Sequence, residues 1–197
     1  ARPGGLPPLP VQMFGHARND ANWNPASFDL AADLSAARQT FATMDARSAD
    51  MRAFAGRGGK LILYHGWADA SVQPLSTLDL FARMGAQAGQ DRDDFARLYM
   101  VPGMLHCRGG AGTDRFGGSE DRSATGQPES DMLAALIAWV ERDVAPATIE
   151  ARHRALDGTV TKARPLCPWP QVAVPQEGTG SDQTGGFRCV TSARGDT

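Results

Sequence analysis

The sequence predicts an α/β protein whose strands run parallel in a sheet, and three observations carry that expectation. Two short apolar runs, "KLILYHG" at 60–66 and "FARLYMV" at 95–101, are closed by turn residues, as buried strands are. Between them Leu75, Leu78, Phe81, Ala82 and Met84 recur at helical spacing. A long glycine-rich loop and the amphipathic "ESDMLAALIAWVERDV" follow, giving the order strand, helix, strand, loop, helix. Two strands make too small an open sheet to be stable. The simplest inference is that they finish a sheet whose earlier members lie on another segment.

Taken in order, residues 1 to about 30 are rich in Pro and Gly and show no period, with aromatic anchors in "NWNPASFDL". Leu30, Leu34, Ala37 and Phe41 then predict a helix, and "RSADMRAFAGRGG" a short one stopped by its glycines. The turn "WADASVQP" leads from the first strand into the helix over Leu75–Ala88, which "DRDD" at 91–94 breaks as a solvated turn. "HCRGGAGTDRFGGSEDRSATGQP" reads as loop. In the last helix Leu133, Leu136, Ile137, Val140 and Val144 share one apolar face of the kind that packs on a core, and Pro146 ends it. From about 150 onward, prolines and glycines are expected to forbid regular structure over most of the tail. Cys167 and Cys189 are expected to pair there, closing a loop worth roughly 3 kcal/mol in the chain-entropy model. The chain thus divides into an opening region, 1–48, a core portion, 49–150, and a loop-rich tail, 151–197.

Composition sets bounds. The 197 residues are 42% hydrophobic and 21% charged, ordinary for a globular domain, and the net charge of −2 gives no electrostatic case for nucleic acid or an anionic membrane. No apolar run approaches the roughly 20 residues of a membrane-spanning helix. The opening "ARPGGLPPLP", without initiator Met or apolar signal core, reads as a processed, engineered or truncated chain. Three cysteines leave one without a partner inside the chain.

Two residues stand where ligands meet parallel sheets, beyond the carboxyl ends of the strands. Asp69 lies in the turn leaving the first strand and His106 in the loop leaving the second. Acid before base is the order of the last two members of an α/β-hydrolase triad, in which the imidazole shuttles a serine proton and the carboxylate fixes its tautomer. From spacing alone the plainer readings stay open: Asp69 as an Asx-turn or cap, His106 as a hydrogen-bonded structural residue. Other chemistries fit less well. His106 and Cys107 are adjacent, whereas zinc ligands are usually spaced by two to four residues, and adding His65 and Asp69 is not expected to supply such a pair. The glycines at 110 and 112 lack the third of a dinucleotide fingerprint, and Asp114 would repel phosphate. His65-Gly66 is expected to serve packing and turn geometry, and His16 and His153 have no constellation around them.

"GGKLILYHGWADASVQP", "YMVPGMLHCRGG", "WVERDVAP" and "RPLCPWPQVA…GTG…FRC" together resemble the C-terminal portion of the tannase and feruloyl esterase family, from about residue 40 to the end. The resemblance implies the last strands and helices of an α/β-hydrolase fold with a disulfide-stapled tail, and makes the earlier residues the close of a lid. It implies Asp69 as triad acid and His106 as triad base. It gives Cys107 a bridge to a Cys immediately before the nucleophilic Ser, outside this chain, and Cys167 and Cys189 a disulfide of their own. A bridge between the neighbours of nucleophile and base would staple two loops that must meet within hydrogen-bond reach. Such bridges imply an oxidising compartment, secreted or periplasmic.

The chain also departs from the family pattern. No Gly-x-Ser-x-Gly or Cys-Ser pair occurs, Ser71 and Ser76 follow the acid, and Arg108 stands where the family tends to have glycine. The expectation is therefore a serine-type ester hydrolase of aromatic acid esters, such as gallates or hydroxycinnamates, when complete. Alone the chain would be inactive, either a cleavage product held through Cys107 or a stretch of a longer protein. Its partners would be the ester and the polypeptide carrying Cys-Ser, with no cofactor or metal. Trp23 and Phe28 are candidates to hold the acyl group, and equally candidates for core anchors. A non-catalytic, disulfide-stabilised binding module descended from such an esterase is the competing class. An esterase of the same family acting on a synthetic or aliphatic ester is a third reading.

Overall fold

A computed structural model describes residues 9–20, 22–44, 46–87, 91–118, 125–177 and 186–191. The chain forms two units, Ala1–Ser48 and Ala49–Thr197.

In the first unit α1 (Leu9–Arg18) packs with α2 (Leu30–Thr40). The expectation that nothing regular precedes Leu30 is therefore wrong. Pro10 sits in the first turn of α1, where its missing N–H has no intrahelical acceptor to lose. Asp33 is 1% exposed and organises the unit. Its carboxylate accepts the Trp23 indole N–H at 3.1 Å and the Asp29 backbone N–H at 2.7 Å, and the Arg18 guanidinium lies 3.3 Å away. Phe28 meets Phe14 edge-on, their ring centroids 5.3 Å apart. Trp23 is half-buried and Phe28 is 44% exposed, each with its contact inside this unit.

The second unit begins with α3 (Arg52–Ala55) and then places β1 (Leu61–Gly66), α4 (Pro74–Gln87) and β2 (Ala96–Val101) in sequence. β1 and β2 pair parallel, Leu61 opposite Ala96 through Gly66 opposite Val101. A parallel pair needs a crossover, and α4 supplies it. Side chains alternate across β2. Ala96, Leu98 and Met100 face a cluster with Phe81 and Met84 of α4, whereas Tyr99 and Val101 face one with Met132 and Ala135. Burial on both faces explains why the strand reads as a continuous apolar run.

α5 (Met132–Arg142) begins on Asp131, whose Oδ1 accepts the N–H groups of Leu133 and Ala134. Its packed face is not the expected one. Met132, Ala135, Ala138 and Trp139 are buried, while Leu133, Ile137, Val140 and Val144 are 61%, 44%, 58% and 57% exposed. Periodicity weights the larger aliphatic residues, but the small alanines are what let the helix come close to the sheet.

The tail is also more regular than expected. β3 (Ile149–Arg154) pairs antiparallel with β4 (Val160–Leu166), and β5 (Gln171–Pro175) with β6 (Phe187–Thr191). The period of two is present but sparse: Ile149 and Ala151 point inward between charged neighbours. Ile149, Ala151 and Leu166 join the cluster of Tyr99 and Val101, so the hairpin packs on the sheet's own core. The Cys167–Cys189 disulfide is present, Cα atoms 5.7 Å apart, and ties the end of β4 to β6.

Candidate active site

β1 ends at Gly66, and two main-chain bonds carry the next turn to the neighbouring loop. Trp67 N–H donates to Val101 O at 3.0 Å and Ala68 N–H to Met104 O at 3.0 Å. Gly66 must be glycine here, because a Cβ would lie 2.2 Å from Met104 O and 2.6 Å from Leu105 O. That contact brings the loop after β2 against the end of β1. The turn geometry expected of His65-Gly66 is this close approach.

The loop after β2 folds back on itself. Leu105 N–H donates to Gly109 O at 3.1 Å and Gly112 N–H to Gly103 O at 3.2 Å. Gly110 adopts φ +98°, and a Cβ on it would meet Gly103 O at 2.1 Å, so this glycine run serves close packing. Asp114, expected only to repel phosphate, turns its carboxylate inward to accept the Gly109 N–H at 2.9 Å. Its other oxygen lies 3.4 Å from Nδ1 of His153, a neighbour the sequence did not reveal.

At the meeting point His106 Nδ1 lies 2.8 Å from Asp69 Oδ2. The other oxygen, Oδ1, accepts the N–H groups of Ser71 at 2.7 Å and Val72 at 2.9 Å, an Asx-type turn. The turn and the imidazole thus use different oxygens of one carboxylate. The Asp69 side chain is 3% exposed and that of His106 57%. His65, at the end of β1, adds a second imidazole: its Nε2 lies 3.3 Å from Asp69 Oδ2 and 3.2 Å from Val72 O. Both neighbours of that nitrogen are acceptors, so it carries the proton. Its Nδ1 then accepts from the Thr77 hydroxyl at 2.8 Å. No period in the sequence marks this contact, because a strand end and a turn separate His65 from Asp69.

The two main-chain N–H groups and His106 hold Asp69 well below the ordinary carboxylate value of 3.8, at about 2. The Val72 N–H is the largest cause. Desolvation of the carboxyl opposes it, and the hydrogen bonds from His106 and from the Ser71 N–H add to the lowering. A neutral His106 facing this anion carries its proton on Nδ1, leaving the Nε2 lone pair free to accept another. Gly66, Thr77, Met104 and Cys107 complete the walls of a hollow of about 210 Å³ around the pair. Cys107 is a free, exposed thiol held at φ +62°, an uncommon left-handed conformation for a residue with a side chain. Arg108 is exposed and does not line the hollow. Among the described residues, no three His, Cys, Asp or Glu side chains gather as a metal cage.

Residues 11–190 match the family described as tannase and feruloyl esterase. The mono(2-hydroxyethyl) terephthalate hydrolase of Piscinibacter sakaiensis is 45% identical over 148 residues, 74% of this chain and 22% of that protein. A probable feruloyl esterase B-1 of Aspergillus terreus is 31% identical over 156 residues, 78% of this chain and 30% of that protein. The crystal structure of an esterase from Aspergillus oryzae superposes with a TM-score of 0.78 at 26% identity, covering 88% of this chain and 36% of the other. This chain therefore spans about a fifth to a third of the length of these relatives. Its mixed α/β structure is that of esterases of the α/β-hydrolase type. The chain belongs to the tannase and feruloyl esterase family.

Proposed function

We propose that this chain supplies the acid and the base of a Ser-His-Asp triad in a secreted ester hydrolase, its nucleophilic serine carried by polypeptide outside these residues. The single observation behind this reading is the 2.8 Å contact of His106 Nδ1 with Asp69 Oδ2 at the carboxyl ends of two parallel strands. In the reaction His106 Nε2 takes the serine proton as the oxygen attacks the ester carbonyl, then returns a proton to the departing alcohol. Asp69 stays ionised, fixes the Nδ1–H tautomer and stabilises the imidazolium that forms. Its two main-chain donors hold the carboxylate in place for that task. Water repeats the sequence in reverse on the acyl-enzyme, releasing the acid.

The substrate class proposed is esters of planar aromatic carboxylic acids. The names of the relatives point the same way, one to a terephthalate monoester and the other to a feruloyl ester. Cys107, at the rim of the hollow, is proposed to bridge to a cysteine beside the serine, holding nucleophile and base within reach. The disulfide in the tail is consistent with the oxidising compartment that this bridge requires.

The test is His106→Ala in the complete enzyme, with ester hydrolysis and circular dichroism read together. The expected result is an unchanged fold and turnover reduced by several orders of magnitude. Near-normal hydrolysis would end the assignment. Peptide mapping without reduction is expected to find Cys107 linked to the cysteine adjoining the serine.

A further inference from the structure

A second, larger hollow of about 380 Å³ lies across the same two turns. Trp67 and Gly103 line it, whereas Asp69 and Met104 line the hollow around His106, and the two share no wall residue. Its walls are mainly apolar and include the indoles of Trp67 and Trp169, which meet edge-on with centroids 6.2 Å apart. Two cationic residues of β4 also line it, Lys162 and Arg164, which stand two residues apart and so on one side of the strand. Lys162 gives one N–H to Ala111 O at 3.0 Å and has two to spare. Arg164 lays its guanidinium over the Phe187 ring, 4.8 Å from the centroid. Among the described residues neither cation has a carboxylate partner.

Two cations with no anionic partner among the described residues, beside two indoles, select a particular chemistry. A neutral aromatic ring would gain the indole surface but leave the cations unanswered. A compact inorganic anion would answer the cations and waste the indoles. A flat ring bearing a carboxylate satisfies both, the ring against the tryptophans and the carboxylate taking charge-assisted hydrogen bonds from Lys162 and Arg164. The volume lies at the lower end of the ~300–1,000 Å³ of small-molecule pockets, suited to a single-ring acid.

We propose that this hollow is a binding site for aromatic carboxylates, separate from the Asp69–His106 pair. Acids of that class are what an aromatic ester hydrolase releases, yet binding here requires neither turnover nor a serine. Failure of the esterase reading would therefore leave this site intact, and the reverse holds as well.

The test is a titration of the complete enzyme with 4-hydroxybenzoate, followed through the indole N–H signals of Trp67, Trp139 and Trp169 in ¹H–¹⁵N spectra. The neutral 4-hydroxybenzamide serves as isostere. Saturable shifts are expected at Trp67 and Trp169 but not at the buried Trp139, with the amide weaker by about tenfold or more. Lys162→Gln combined with Arg164→Gln should weaken the acid by a similar factor and leave the amide unchanged, the rest of the spectrum reporting an intact fold. His106→Ala should bind the acid as the parent chain does. Equal binding of acid and amide, undiminished binding by the double variant, or no saturable shift at the two tryptophans would each overturn the proposal.

Discussion

Replacing Gly66 with alanine sets a methyl group 2.2 Å from the carbonyl oxygen of Met104 and 2.6 Å from that of Leu105. An ordinary contact begins near 3.4 Å, so the Met104 carbonyl must retreat by about 1.2 Å and that of Leu105 by about 0.8 Å. The loop has little slack to absorb that movement, because the Leu105–Gly109 and Gly112–Gly103 bonds and the Asp114 carboxylate brace it from behind. The displaced residues immediately precede His106, whose Nδ1 sits 2.8 Å from Asp69. A shift of that size carries the pair past the ~3.2 Å limit of a hydrogen bond. In the complete enzyme Gly66→Ala should therefore lower kcat/KM by about 100-fold, while overpacking costs about 1–3 kcal/mol of stability. Ester hydrolysis and urea unfolding, measured on one preparation, separate the two effects. Full stability loss with activity within about threefold of the parent would refute the argument that this contact positions the base.

The Asp69 carboxyl should titrate near pH 2 by carbon NMR, against 3.8 for an ordinary aspartate. Because its value is lowered in the folded chain, its contribution to stability is complete above about pH 4 and lost as pH falls toward 2. The difference in Tm between the parent and Asp69→Asn should shrink over that interval, and a difference independent of pH would contradict the stated cause. On α5, Trp139→Ala should cost about 3–5 kcal/mol in urea unfolding, whereas Ile137→Asp on the exposed face should cost the isolated chain under about 0.5 kcal/mol. Equal costs would mean the helix packs on its other face.

The parallel pair and its crossover helix were legible because each strand of 61–66 and 96–101 is a short apolar run closed by turn residues. Asp69 and His106 could be picked out because parallel strands gather functional groups at their carboxyl ends, though sequence order alone gave no distance between them. Three features were not legible, each for a physical reason. α5 has two apolar faces, and the one built on Ala135 and Ala138 looks weaker in sequence than the aliphatic stripe beside it. β3 and β4 hide their alternation because their inward positions carry few large apolar residues between arginines and lysines. The contacts of His65 with Asp69 and of Asp114 with Gly109 depend on how the chain folds back after each strand, which no periodicity encodes.

The reading of the site depends on which nitrogen of His106 bears the proton when the ring is neutral. Nitrogen NMR of the labelled chain above the imidazole's titration reports this tautomer directly. The account predicts a protonated Nδ1 and a bare Nε2, with the Nδ1–H signal shifted downfield and lost in Asp69→Ala. A proton on Nε2, or an Nδ1–H signal indifferent to Asp69, would contradict it.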